Sequence, residues 1–250
     1  MKLIQRAFLA LLVLALTAAA SQADFLFEKG NRFYEDKNFD SAVVCYEQSE
    51  DCGISSSILY YNLANSYFRQ NRIGNAILYY ERALQINPTD PDILANLNYA
   101  RMNIVDRIPE PERSIVESIL HYLHTLLPLT HRLITLLILL FFAVIFFALA
   151  LFVKGNLRLW MTYLVVLDFL IIIPLSISSG ISVYSLENKK YAVITETKIE
   201  AMNEPDGGKT LFLLHEGTKV QVLKVARDWS FIALSNGVSG WIKTASIEKI

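Results

Sequence analysis

The sequence predicts a multidomain chain in which an all-α repeat solenoid, a two-helix transmembrane hairpin and a small all-β barrel follow one another. Three observations predict this order: a self-similarity of period 34 near the N-terminus, two long apolar stretches in the middle, and strand-like alternation with turn signals over the last 60 residues. The apolar stretches also explain much of the 53% hydrophobic content.

Composition limits the function classes. The formal net charge of −1 gives no reason to expect a nucleic-acid partner. The sequence shows no nucleophile–base constellation, no phosphate-binding loop and no metal signature, so it predicts neither an enzyme nor a cofactor.

Residues 1–23 are typical of a secretory signal. Lys2 and Arg6 form a basic start, an apolar stretch follows, and the sequence Ser21-Gln22-Ala23 is a small-x-small cleavage site. An uncleaved anchor helix has a similar pattern and remains the alternative. In both cases the chain from residue 24 onward is exported.

The repeat region is predicted over residues 24–104. Residues 34 apart match in size and type, small with small and aromatic with aromatic: Leu26/Tyr60, Gly30/Ala64, Phe33/Tyr67, Ala42/Ala76 and Tyr46/Tyr80. This period resembles the tetratricopeptide repeat (TPR), in which each unit is a helical hairpin. The second unit matches better, at Leu63, Ala64, Tyr67, Ala76, Tyr80, Ala83 and Pro88. Two units and a capping helix are predicted, a short TPR solenoid that a partner or a second copy of the chain would complete.

The register of such an array predicts a groove lined by the first helix of each hairpin. The predicted partner-binding residues are Phe27, Asn31, Tyr34, Tyr61, Asn62, Asn65, Phe68 and Arg69. Asparagine offers a donor and an acceptor to a peptide backbone, and the aromatic residues offer apolar surface. Some TPR proteins clamp a terminal carboxylate beside asparagines placed like Asn31 and Asn62. Phe27, Asp92 and Asn96 stand where the basic residues of that clamp would be, and the alternative is that the groove residues only pack or solvate it.

Cys45 and Cys52 are the only cysteines. On one continuous helix they would lie about 10 Å apart, too far to bridge. A disulfide therefore requires the helix to end before Cys52, and a buried Cys45 with an exposed Cys52 is the alternative.

Residues 105–132 are predicted to be a linker with an amphipathic interfacial helix opened by a capping box of Ser114 and Glu117. His121, His124 and His131 allow a metal site in principle. Because no further ligand completes a set, polar residues near lipid head groups are the favoured interpretation.

Two transmembrane helices are predicted, at residues 133–153 and 160–184, joined by a cytoplasmic loop at 154–159. Lys154 and Arg158 favour a cytoplasmic tip, and the exported N-terminus places both soluble regions outside. The predicted location is therefore the bacterial inner membrane, multi-pass, with the soluble regions on the periplasmic side.

Asp168 lies within the second span, where a carboxylate usually faces a partner helix or a polar cavity. Ser176 and Gly180, like Ser178 and Ser182, are small residues at spacing four, which suits close helix packing. Asp168, Ser176 and Gly180 are predicted membrane-assembly residues, and a proton relay at Asp168 is the less favoured alternative.

Residues 190–250 are predicted to form strands, with Asn236-Gly237 as a type I′ hairpin turn. The order of Gly217, Trp229 and Gly240-Trp241 resembles the bacterial SH3 domain, which implies an SH3-like barrel whose open ends Trp229 and Trp241 cover. Members of that family are often associated with cell-wall peptides.

The order of signal, short TPR array, membrane hairpin and SH3-like domain is similar to that of the Bat (aerotolerance) proteins of bacteria. The resemblance implies a membrane complex with sister proteins that carry von Willebrand A domains, and a role in aerotolerance or envelope stress. The residues themselves predict a membrane-anchored protein–protein interaction scaffold. A sensor that binds peptidoglycan through its SH3 domain is the alternative, and an enzyme or transporter built on Asp168 is a third class.

Overall fold

The computed structural model describes residues 21–109, 115, 118, 129–188 and 190–250. The chain divides into two compact units. One, here called the array–sheet unit, joins the N-terminal helices up to residue 109 with residues 190–250; the other, the hairpin unit, comprises residues 110–189. The predicted capping box of Ser114 and Glu117, together with His121 and His124, lies outside the described residues.

The N-terminal part of the array–sheet unit is helical throughout, as predicted. Its helices are α1 (21–35), α2 (Phe39–Asp51), α3 (Ser57–Arg69), α4 (Ile73–Ile86) and α5 (Pro91–Arg101). Side-chain oxygens of Asn38, Ser56 and Asp90 accept hydrogen bonds from backbone N–H groups at the starts of α2, α3 and α5. These caps satisfy N–H groups that have no partner within the helix, so the sequence fixes where each hairpin begins its next helix.

Small residues bring the helices of each hairpin together. Ala42, Ala64, Ala76 and Ala83 are fully buried. A Cβ atom added to Gly30 would lie 2.6 Å from a ring carbon of Tyr46, so the first hairpin requires glycine there. Helix α5 packs on this core through Ile93, Leu97 and Ala100, whereas Leu94 is exposed. It occupies the position predicted for the capping helix.

The strands after residue 190 form one seven-stranded antiparallel sheet with the order β3-β2-β6-β5-β4-β1-β7. Their bounds are β1 Lys190–Ile194, β2 Lys198–Met202, β3 Thr210–His215, β4 Lys219–Ala226, β5 Trp229–Ala233, β6 Ser239–Lys243 and β7 Ile247–Lys249. Buried residues alternate along the central strands: Ser230 and Ile232 in β5, Gly240 and Ile242 in β6. The antiparallel sheet is confirmed, and the SH3-like barrel stays a prediction.

Two details of the sheet were predicted wrongly. Trp229 and Trp241 do not cover the ends of a barrel. They alternate with the buried residues and so lie on the face opposite the core, where Trp241 packs on Phe231 with ring centroids 5.2 Å apart. The turn at Asn236-Gly237 is not type I′, because only Gly237 has a positive φ, of 85°. The connection is longer than two residues, and its left-handed residue is the glycine.

The cysteines are both free thiols. Helix α2 runs to Asp51, and Cys52 is its C-cap, so the helix does not end early enough to bring the two sulfur atoms together.

The hairpin unit contains α6 (Leu129–Phe152) and α7 (Asn156–Asn188), with Pro174 inside α7. Both helices are long and apolar enough to cross a membrane. Each begins four residues before the predicted span, because helical backbone continues into the polar flanks.

A buried arginine joins these two helices. Arg132 is 1% exposed and donates hydrogen bonds of 2.7 Å to the hydroxyls of Ser178 and Ser182. Ser176 and Gly180 lie on an exposed face of α7. Within the described part of the chain, one carboxylate oxygen of Asp168 is buried without a hydrogen-bond partner. The small residues thus serve two faces of α7, one that binds α6 and one that α6 leaves uncovered.

Candidate functional site

The helical array contains a concave pocket of about 380 Å³. Its walls come from α1, α3, α4 and α5, which means that both hairpins and the capping helix contribute. The lining residues are Tyr34, Tyr61, Asn65, Phe68, Arg69, Tyr80, Asn96 and Tyr99. A pocket of this size, with aromatic walls and a few polar groups, is large enough to hold a bulky side chain and adjoining backbone.

The polar groups of the pocket are held in a fixed arrangement. The Asn65 side-chain oxygen accepts hydrogen bonds from the Tyr80 hydroxyl, at 2.5 Å, and from the Asn96 side-chain nitrogen, at 3.3 Å. The same Asn96 nitrogen donates to the Tyr61 hydroxyl at 2.8 Å. Because two donors hold the oxygen of Asn65, the orientation of its carboxamide is fixed and its NH₂ group is left as a donor.

The same arrangement occurs one repeat earlier. The Asn31 oxygen accepts from the Tyr46 hydroxyl at 2.8 Å and from the Asn62 nitrogen at 3.0 Å. Asn31, Tyr46 and Asn62 precede Asn65, Tyr80 and Asn96 by 34 residues each. We call these six residues the amide ladder. It links α1 to α3 and α3 to α5 through side chains that repeat with the period of the sequence.

Burial keeps the ladder tyrosines neutral. Tyr46 and Tyr80 are almost fully buried, and this desolvation, the largest cause, raises the pKa of each well above its ordinary value. Both phenols therefore act as hydrogen-bond donors throughout the physiological pH range, and the asparagine oxygens stay engaged.

The structure brings together five of the eight predicted groove residues, namely Tyr34, Tyr61, Asn65, Phe68 and Arg69. It places the other three differently. Phe27 packs on Tyr46 with ring centroids 5.9 Å apart, and Asn31 and Asn62 bond to each other in the ladder.

Sequence reasoning missed three lining residues, Tyr80, Asn96 and Tyr99. Tyr80 was taken only as filling between helices, and Asn96 only as a missing basic residue. A signal for both exists in the sequence, because they lie 34 residues after Tyr46 and Asn62. Tyr99 has no such signal; its ring packs on Phe68 at 5.6 Å.

The charges around the pocket differ from those of a carboxylate clamp. Arg69 is the one charged residue among those that line it, and it is exposed. Asp90 and Asp92 belong to a neighbouring cavity of about 80 Å³, and Asp90 caps α5. Among the described residues no group of three His, Cys, Asp or Glu side chains is arranged for a metal ion.

The comparisons with known proteins agree with this geometry at the level of the repeat. The family model for the tetratricopeptide repeat matches residues 57–90, which contain α3 and α4. The second hairpin is therefore a tetratricopeptide repeat. A comparison with curated proteins found no match.

Two solved structures are similar to parts of the chain. The first TPR of Spaghetti (RPAP3), bound to the HSP90 peptide SRMEEVD, is 20% identical over 33% of this chain and 93% of that one, with a TM-score of 0.24. The C. elegans SMG5–SMG7 complex is 15% identical over 68% of this chain and 45% of that one, with a TM-score of 0.32. At these scores neither structure supports an inference about function.

Proposed function

We propose that this protein is a non-enzymatic, membrane-anchored scaffold whose helical array binds an extended segment of a partner protein. The observation that carries the proposal is the amide ladder beside the pocket. Repeat modules of this kind are recognition surfaces, and a fixed NH₂ donor within an aromatic wall suits a peptide carbonyl and an adjoining side chain.

Pre-organisation supports this function. An asparagine whose orientation is already fixed by Tyr80 and Asn96 loses little side-chain freedom when a ligand binds, so more of its hydrogen-bond energy appears as affinity. Asn31 offers the same donor one repeat earlier. An extended chain that meets both would be read at two points.

Anchoring in a membrane by the hairpin is part of the proposal. Val193 of β1 belongs to the core cluster of the helical array, so the segments before and after the hairpin pack together. They must then lie on the same side of any bilayer that the hairpin crosses. Two crossings satisfy this requirement, with the residues between α6 and α7 on the opposite side. An exported N-terminus and the positive charges of Lys154 and Arg158 place that tip in the cytoplasm.

The partner class rests on the family resemblance. It implies membrane proteins with von Willebrand A domains, within a Bat-type complex for aerotolerance or envelope stress at the inner membrane. Lateral contact through the exposed face of α7 at Ser176 and Gly180 would complete such an assembly.

Peptidoglycan binding by the C-terminal sheet is the second candidate. The observation that favours it is the partly exposed Phe231–Trp241 pair on the outer face, which offers a flat aromatic surface.

Crosslinking of the full chain in its native membrane tests the proposal. Asn65→Ala removes the fixed donor, and Asn98→Ala, at an exposed asparagine of α5, is the matched control. We expect partner proteins to be recovered with wild type and with Asn98→Ala and to be lost with Asn65→Ala. Equal recovery with all three proteins would refute the groove as the binding site. Wall fragments that are lost only with Trp241→Ala would favour the second candidate.

A further inference from the structure

The helical array has a second interface, formed by α4, and the chain's own C-terminal sheet occupies it. Helix α4 begins at Arg72, whose side chain makes no capping hydrogen bond. The missing cap comes from the turn between β3 and β4, where a Glu216 carboxylate oxygen accepts from the backbone N–H of Gly74 at 3.0 Å. A carboxylate at a helix N-terminus also interacts favourably with the helix dipole.

Two glycines allow this contact to be close. A Cβ atom on Gly74 would lie 2.8 Å from the backbone oxygen of Ile194 in β1. A Cβ atom on Gly217 would lie 2.6 Å from Ile104 and 2.9 Å from Ile77. Gly217 also has a φ of 85°, in the left-handed region that favours glycine. Both sides of the interface thus require the absence of a side chain.

A buried carboxylate connects this interface to the pocket. Glu81 of α4 is 7% exposed. It binds Arg101 at the end of α5 at 2.6 Å and Lys219 at the start of β4 at 2.7 Å. Helix α5 carries Asn96 and Tyr99, which form one wall of the pocket. One carboxylate therefore joins the sheet to the helix that closes the pocket.

The segment that follows α5 is also attached to the sheet. Asp106 accepts hydrogen bonds from the His215 backbone N–H at 2.6 Å and from the Thr218 hydroxyl at 2.7 Å. The His215 ring nitrogen Nδ1 lies 2.8 Å from its other oxygen. Partial burial acts to raise the pKa of Asp106, but these hydrogen bonds outweigh it and hold the pKa below its ordinary value. The carboxylate is thus charged at neutral pH, and α5 is held at its end and just beyond it.

We propose that the C-terminal sheet is a regulatory cap of the helical array: its docking fixes α5 and so sets the affinity of the pocket for its ligand. By linkage, a ligand held by Asn96 and Tyr99 strengthens the docking of the sheet, and a partner that pulls the sheet away weakens ligand binding. The link between sheet and α5 stands independently of the proposed function; the effect on affinity rests on it.

Hydrogen exchange in the full chain, purified in detergent, tests the link. Lys219→Gln removes one partner of Glu81, and Lys224→Gln is the matched control, because Lys224 lies on the same strand and is exposed. We expect exchange in α5 to be about ten-fold faster in Lys219→Gln, as for loss of a hydrogen bond to a charged group. Lys224→Gln should match wild type. Unchanged exchange in α5 of Lys219→Gln would overturn the proposal.

A glycine pair provides a second test that separates docking from backbone strain. Gly217 and Gly237 both have a φ of 85°, but a Cβ atom on Gly237 meets nothing within 4 Å. We expect Gly217→Ala to accelerate exchange in α4 and α5 more than Gly237→Ala does, while β5 and β6 stay protected in both. Equal effects in α4 and α5 would contradict a tight interface. If β5 and β6 lose protection in Gly217→Ala, the lysine pair decides.

The affinity half of the proposal needs a ligand from the crosslinking experiment. With that segment as a synthetic peptide, Lys219→Gln should bind several-fold more weakly than Lys224→Gln. Equal affinities combined with faster exchange in α5 would refute regulation and leave the proposed function intact. Absence of any peptide binding to wild type would instead refute the proposed function.

Discussion

The two halves of the amide ladder have the same hydrogen bonds but different surroundings. In both, a buried tyrosine and the asparagine of the next helix donate to one asparagine oxygen. Only the second half opens into the pocket. Residues 34 apart explain the contrast: Phe27, Glu35 and Asn65 stand where the second half has Tyr61, Arg69 and Tyr99.

This comparison separates what the repeat needs for folding from what it offers to a ligand. Asn31 and Asn65 occur in both halves because they connect consecutive helices. Arg69 and Tyr99 occur only in the second, at the pocket, and each differs in charge or size from its counterpart. We infer that the ladder is structural in both halves and that recognition depends on the residues that differ.

The largest effect on stability is expected at the helix crossing of the first half. Gly30→Ala places a methyl group against the buried Tyr46 ring and should destabilise the array by about 1–3 kcal/mol, because overpacking exceeds the gain in helix propensity. The second half already has Ala64 at this position. Denaturant unfolding followed by circular dichroism measures the change, and an unchanged midpoint would mean that Tyr46 can move aside.

Removing the acceptor of either half should cost less. Asn65→Ala leaves the buried Tyr80 hydroxyl and the Asn96 amide without their shared acceptor, and we expect a loss of about 1–3 kcal/mol. Asn31→Ala should have a similar effect on stability through Tyr46 and Asn62. The same unfolding measurement applies. A much smaller loss at Asn31 would contradict a structural role of the ladder in both halves.

Exchanging single hydroxyl groups should make the halves alike. Tyr61→Phe gives the second half the phenylalanine of the first and removes the hydrogen bond from Asn96, for a loss of about 0.5–1.5 kcal/mol. Phe27→Tyr offers Asn62 the same bond in the first half. If Tyr61→Phe left the hydrogen exchange of α5 unchanged, the hydroxyl would not help to hold that helix.

Alkaline pH should break both halves together. Burial raises the pKa of Tyr46 and Tyr80 above the unfolded value of about 10. Since the folded-state pKa is the higher one, the stabilisation is complete below pH ~10 and is lost as the pH rises toward the folded-state value. Tyrosinate absorbance should therefore rise for these residues only as helicity falls. Ionisation of both phenols near pH ~10 with helicity intact would contradict their buried state.

The smallest effect on stability is expected for the charge that distinguishes the halves. Arg69→Glu gives the second half the charge of Glu35 and, at an exposed position, should change stability by less than about 0.5 kcal/mol. Recovery of the crosslinked partner should nevertheless fall, because this is the one charged residue that lines the pocket. Normal recovery would place recognition in the aromatic and amide groups alone.

The sequence predicted the parts of the fold that local periodicity encodes. The 34-residue period identified the hairpins, the capping helix and Tyr46 and Tyr80 as equivalents, because each repeat contacts mainly its neighbours. Five of the eight predicted groove residues line the pocket for the same reason.

Contacts between distant segments could not be predicted in this way. Gly74 and Glu216 are 142 residues apart and belong to no common period. Arg132 lies one residue before the uncharged stretch, so the sequence gave no reason to pair it with Ser178 and Ser182. Each such contact depends on how separate elements dock, which neither helical nor strand periodicity records.

The position of the hairpin unit between the two parts of the array–sheet unit has a consequence for biosynthesis. Translation completes α4 long before Glu216 and Lys219 exist, and residues 110–189 must be made in between. Until then the newborn helices lack the carboxylate cap of Gly74, and Glu81 lacks its lysine. The exported array thus passes through an immature stage that ends when the last strands arrive. A chain that stalls or inserts in the wrong orientation stays at that stage, exposed to proteases that a finished chain would resist.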